Sequence, residues 1–138
     1  MTKMEIFLIR HTSVGVQKGI CYGKSDVALN HTAAEEIENT TQRLFTHCDV
    51  SEAKIWSSPA SRCVQLAQNI THNFQTEERL WEMNFGDWEM QSWAEIKREE
   101  SDPWMADFVN ICTPNGESFK DLATRANEFL DEIIAQDF

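Results

Sequence analysis

Arg10, His11, Arg62 and Glu82 are the residues of this chain whose types and placing could do chemistry together. Arg10 and His11 end an unbroken apolar run, Ile6-Phe7-Leu8-Ile9. A neutral imidazole nitrogen is a nucleophile, and a guanidinium beside it binds anionic oxygens. Arg62 falls in the first turn of an expected helix, where the macrodipole is already positive and a cation is disfavoured. Either an anion settles between the two, or the side chain projects to solvent or pairs with a carboxylate. Glu82 lies in LWEMNFGDWEM, flanked by Trp81, Met83 and Phe85. An apolar setting disfavours the charged carboxylate and suits it to act as an acid. A solvated surface charge is the plain alternative.

The elements that must position these groups follow from periodicity. The Ile6–Ile9 run does not alternate, so it reads as a strand covered on both faces, central in a parallel sheet. Ligands of open α/β sheets bind at the carboxyl ends of strands, where Arg10 and His11 would emerge. Residues 12–30 hold Gly15, Gly19 and Gly23 without a sustained period and read as a long loop, part of which, GICYGKSD, borders the site. A helix follows, with Thr32 and Glu35 as a capping box and Ala34, Ile37, Thr41, Leu44, Phe45 and Cys48 on one face. Ala53 to Trp56 reads as a second strand. Ser58 as N-cap and Pro59 at the first helical position start the helix that carries Arg62, with the stripe Cys63, Leu66, Ala67 and Ile70. Gln75 to Leu80 reads as a further strand. Trp93 to Ile111 is expected to form one or two helices, the second opening at Asp102 and Pro103. PNGES opens a last helix striped by Phe119, Leu122, Ala123, Ala126, Phe129, Leu130, Ile133 and Ile134. Strands alternating with helices define a layered α/β fold in which Arg10, His11 and Arg62 share one sheet edge.

Composition narrows the partners. With 138 residues and 41% hydrophobic content, the chain supports one domain with a real core. The net charge of −11 and a pI near 4.7 argue against nucleic acid or an anionic membrane as partner. A small anion remains compatible, because two arginines and a helix N-terminus can make a local positive pocket. Cys21, Cys48, Cys63 and Cys112 are scattered without a CxxC pair, which fits reduced thiols in the cytoplasm better than a disulfide framework or a zinc site. The N-terminal residues show neither a long apolar core nor a cleavage site of a secretory leader.

LIRHT, SSPASRCVQLA and LWEMNFGDWEM, in that order, resemble the signature segments of the histidine phosphatase, or phosphoglycerate mutase-like, superfamily. GICYGKSD, EMNFGDWEM and TPNGES are similar to α-ribazole phosphatases within it. The resemblance implies an α/β/α fold with a mainly parallel central sheet and a phosphomonoesterase acting on a small phosphorylated substrate, with no cofactor or metal. It makes His11 the nucleophile that becomes phosphohistidine, Arg10 and Arg62 phosphoryl ligands, and Glu82 the proton donor.

Three departures from the family pattern matter. Thr12 stands where most members have glycine, adding a hydroxyl and a β-carbon beside the phosphate pocket. Gln17 stands near a position where many have asparagine. Members continue past the last helix into another buried strand that ends in a second histidine followed by glycine. This sequence ends at Phe138, and His31, His47 and His72 lie in no such context. The expectation is therefore a single domain, 1–138, truncated at its C-terminus, with part of the last helix's apolar stripe left uncovered. A catalytically impaired phosphate-binding module, a broader small-molecule phosphatase and a protein-interaction domain stand as alternatives. Trp88, Trp93 and Trp104 read either as core or as a platform for a flat base.

Overall fold

Amphipathic spacing produces most of the helix in this chain, and the computed structural model describes residues 3–136. Helix α1 spans Ala33–His47 and α2 spans Ser61–Ile70. The two pack together, α2 burying Arg62, Leu66, Ala67 and Ile70. Helix α3 is Arg98–Ala106 and α4 is Phe119–Ile134. Between α1 and α2 lies β1, Trp56–Ser57, which pairs in parallel with β2, Gln75–Thr76, in the register Trp56 to Gln75 and Ser57 to Thr76. The β1-α2-β2 unit is thus a parallel crossover of an α/β fold, as expected. Short 3-10 turns occupy Glu78–Leu80 and Gly86–Trp88.

Helix ends differ from the sequence reading where side chains found other partners. Thr32 makes no capping bond; its hydroxyl bonds instead to Asn30 and Glu36. Helix α2 begins two residues beyond the expected first position, with Ala60 as N-cap, and Ser58 accepts the Ala60 N–H. Asp26, from the long loop, supplies the missing cap by accepting both the N–H and the hydroxyl of Ser61. The expected helix start at Asp102 and Pro103 is displaced, because α3 starts at Arg98 and contains Pro103 within it. Helix α4 opens with a complete capping box, Ser118 and Asp121 each accepting the other's backbone N–H.

The N-terminal run departs most from expectation. No strand pairing is assigned to residues 5–9 among the described residues, and Ile6, Phe7, Leu8 and Ile9 are exposed, Leu8 at 92%. An apolar run states that its side chains are suited to cover on both faces; it does not provide the neighbouring strands. The only sheet among the described residues is the pair β1-β2, which does not extend to this segment.

The long loop, in contrast, is tied down. Gly15 N–H bonds to Ala28 and Asn30 N–H to Ser13, closing an antiparallel bridge between Val14 and Leu29. Cys21 and Val27 are buried along it. Cys21 joins Met83, Trp88, Ile96 and Trp104 in the main core cluster, against which Phe85 and Leu122 pack. Trp88 and Trp104 meet edge to face at 5.4 Å, so two of the three candidate platform tryptophans are core. Trp93 stacks on Trp104 and stays partly exposed.

Candidate active site

Arg62 is the most constrained of the candidate residues. Its side chain is 1% exposed. It enters from the second position of α2 and donates through Nη1 to the Ser25 carbonyl at 2.8 Å and through Nη2 to the Gly23 carbonyl at 2.6 Å. The guanidinium also lies over the Tyr22 ring, 5.5 Å from its centroid. None of the ion pairs among the described residues includes Arg62, and its Nε is buried without a partner. Of the readings open in the sequence, projection to solvent and pairing with a carboxylate are both excluded. Arg62 is thus a buried guanidinium held by backbone carbonyls, with one donor unused.

His11 is half-buried, and its Nδ1 lies 2.7 Å from the Thr12 carbonyl. A carbonyl only accepts, so Nδ1 carries the proton, and in the neutral ring Nε2 keeps its lone pair. Thr12 is buried and its hydroxyl has no partner. Arg10 is exposed at the end of the unpaired N-terminal segment.

Glu82 does not have the apolar enclosure read from its neighbours. It is exposed, and its carboxylate accepts the Met83 N–H at 2.8 Å. Met83 is buried in the core while Glu82 turns outward. The Cys63 thiol, next to Arg62, is pushed up by burial, partly offset by Arg62 and the Ser58 hydroxyl and reinforced by the nearby Glu82 and Asp26 carboxylates.

Two carboxylates and an arginine that the sequence reading passed over hold this region together. Glu89, seven residues beyond Glu82, is partly buried but held among donors rather than in an apolar enclosure. Its carboxylate accepts from the N–H groups of Gly23, Lys24, Ser25 and Phe85 and from the Ser25 hydroxyl, the last at 2.6 Å. Burial works to raise its pKa, but the bonds from Ser25, Phe85, Gly23 and Lys24 outweigh it and hold the group below the usual range. Gly23 permits this close approach, since a Cβ there would meet the Met83 carbonyl and the Phe85 ring. On the other side, Arg125 of α4 donates to the carbonyls of Arg79, Trp81 and Glu82 while pairing with Glu117 at 2.9 Å. Glu117 in turn accepts the Asn84 N–H. The backbone on both sides of Glu82 is therefore fixed although its side chain is exposed. The available signal was a second glutamate, Glu89, inside the same aromatic segment as Glu82.

Among the described residues no group of three His, Cys, Asp or Glu is placed to hold a metal ion, and no helix is long and apolar enough to cross a membrane. All four cysteines are free thiols. A surface concavity of about 450 Å3 lined by residues 45–50 collects none of the candidate groups.

An α/β fold with histidine and arginine at the start of the chain, a second, buried arginine on α2 and a glutamate beyond β2 defines a class, and the comparison with known proteins agrees. The model of the histidine phosphatase superfamily, branch 1, matches residues 6–137, and the chain belongs to that family of phosphatase hydrolases. Within it, the chain is 33% identical to the adenosylcobalamin/α-ribazole phosphatase of Salmonella typhimurium, over 96% of this chain and 68% of the relative. It is 26% identical to the protein of the same name from Escherichia coli, over 94% and 66%. The chain thus spans about two thirds of the length of these curated relatives. Among solved structures, it shares the fold of a mycobacterial glucosyl-3-phosphoglycerate phosphatase, with a TM-score of 0.80 at 20% identity, covering 91% of this chain and 61% of that one. A putative α-ribazole-5′-P phosphatase from Escherichia coli gives a TM-score of 0.78 at 23% identity, covering 91% and 64%.

Proposed function

We propose that this chain carries, in a single histidine-phosphatase-like domain, a phosphomonoesterase site that works through a phosphohistidine. The observation that carries the reading is Arg62, a buried guanidinium with no carboxylate partner and a free Nε. His11 Nε2 attacks phosphorus; the P–N bond forms as the ester P–O bond breaks. Arg62 and Arg10 neutralise the phosphoryl oxygens as charge shifts onto them, and the unpaired Thr12 hydroxyl adds a donor. The Glu82 carboxyl gives its proton to the departing alkoxide. Its carboxylate then takes a proton from the water that attacks the phosphohistidine, breaking the P–N bond and releasing phosphate. General acid–base help of this kind is worth typically ~10²–10⁴-fold. The exposure of Glu82 suits this second role, since water reaches it directly.

The names of the two curated relatives support α-ribazole 5′-phosphate, in cobalamin biosynthesis, as the substrate. A small phosphate ester in the cytoplasm, rather than nucleic acid or a membrane, fits the net charge of −11 and the free thiols. A second reading, a phosphate-binding module with impaired turnover, is favoured by one observation: the segment that carries Arg10 and His11 has no paired strand beneath it. Rapid-quench labelling with a phosphate ester separates the two. An acid-labile phosphoenzyme that disappears in His11→Ala supports catalysis. Phosphate binding without label or hydrolysis supports the module.

A further inference from the structure

We propose that Glu89 is a positioning residue for Arg62, acting through the peptide units of the Gly23–Ser25 loop. The inference rests on the reading of Arg62 as a phosphate ligand. The loop lies between two opposite charges that form no ion pair with each other. Its N–H groups donate to Glu89, that of Lys24 also to the Met83 carbonyl, and the Gly23 and Ser25 carbonyls accept from Arg62. One peptide unit makes the arrangement explicit. The Gly23 carbonyl accepts from Arg62 Nη2 at 2.6 Å, and the N–H of the same unit, that of Lys24, donates to Glu89 at 2.9 Å. Each bond polarises the other, because pulling the proton side of an amide towards a carboxylate makes its oxygen a better acceptor. Ser25 links the two charges through one residue rather than one peptide unit: its N–H and hydroxyl go to Glu89, and its carbonyl, in the next peptide unit, accepts Arg62 Nη1.

The consequence for the site is specific. A direct carboxylate partner would occupy the guanidinium fork and cancel its charge. With the loop interposed, Arg62 is gripped at both Nη atoms, remains unneutralised at contact distance and keeps Nε free. Glu89 thus sets where the cation sits without competing for the anion. The Gly23 position is part of the device, since a Cβ there would meet the Met83 carbonyl and the Phe85 ring and the loop would have to shift.

Glu89→Gln keeps the shape but places an amide NH2 among five donors. The test follows the Arg62 Nε–H resonance by 15N NMR and the dissociation constant for inorganic phosphate, in the full chain. The expected result is a protected Arg62 Nε–H whose solvent exchange accelerates at least 10-fold in Glu89→Gln, with phosphate affinity falling at least 10-fold. In an Arg62→Lys background the second change costs no further affinity, which a purely structural role would not produce. Ser25→Ala, which removes only the 2.6 Å hydroxyl bond to Glu89, gives an intermediate effect and serves if Glu89→Gln does not fold. An unchanged Arg62 Nε–H in a folded Glu89→Gln or Ser25→Ala variant overturns the proposal. A wild-type chain that binds no phosphate, yet whose Arg62 Nε–H responds to Glu89, sinks the phosphate-ligand reading and keeps the positioning role.

Discussion

Arg62 and Glu82 sit in opposite surroundings. The first is buried and gripped by carbonyls; the second faces water. Removing Arg62 strips the Gly23 and Ser25 carbonyls of their partners as well as removing the cation. Arg62→Ala is therefore expected to lower stability by about 1–3 kcal/mol and to abolish phosphate protection in thermal unfolding. Arg62→Lys, a charge without the fork, recovers part of the protection but not the stability. The carboxylates of the site predict an acid transition. Burial opposes ionisation of Glu89 and Glu117, but donors led by Ser25 and Arg125, respectively, hold both below the usual range. Arg79 holds Glu77 at about 2. Folded-state values below unfolded ones mean that the unfolded chain takes up more protons on acidification. Stability from these groups is complete above the unfolded value of about 4.3 and is lost as pH falls towards about 2. The urea midpoint should hold steady from pH 7 to 5 and drop below pH 4.5, with a smaller drop in Glu89→Gln.

At the scale of elements, the helices and the parallel β1-α2-β2 unit are legible in the sequence, and the N-terminal strand is not. Helices α1, α2 and α4 announce themselves because 3.6-residue spacing is a local property, repeated over several turns. The capping box that formed, at Ser118, sits at a turn also fastened by Glu117 to Asn84, 33 positions away; the one expected at Thr32 lost to Asn30 and Glu36. Ser118→Ala should cost about 1 kcal/mol in urea unfolding, with the loss concentrated in hydrogen-exchange protection of the first turn of α4. Strand identity depends on partners far along the chain, so the apolar run at 6–9 could not report whether it had any. The site was legible to the same extent. Arg62 could be placed from a helix start, whereas Glu89 is defined by bonds to residues 64 to 66 positions away, for which no local pattern exists.

For the molecule as a whole, the exposed apolar surface and the net charge act against each other. Ile6, Phe7, Leu8 and Ile9 on the N-terminal segment, with Leu130 and Ile134 on α4, are exposed. An extended apolar segment with unpaired backbone groups is a template for pairing with another chain. A net charge of −11 at pH 7 opposes association through mutual repulsion. Self-association is therefore expected to increase as pH approaches the pI near 4.7, and to increase with salt at pH 7. Sedimentation velocity measures it, and Leu8→Lys should reduce it at both extremes; unchanged association in that variant places the contact elsewhere.

The interposed loop also has a consequence in time. Arg62 is gripped only when residues 23–25, the start of α2 and the turn around Glu89 have come together, closures of 37 to 66 residues. Such closures carry an entropy cost that local helix formation does not. The helices should thus gain protection from exchange first during refolding, and the amides of Gly23, Lys24 and Ser25 last. On that schedule no partly folded chain displays the assembled cation, and the capacity to hold phosphate becomes a reporter of the final step of folding.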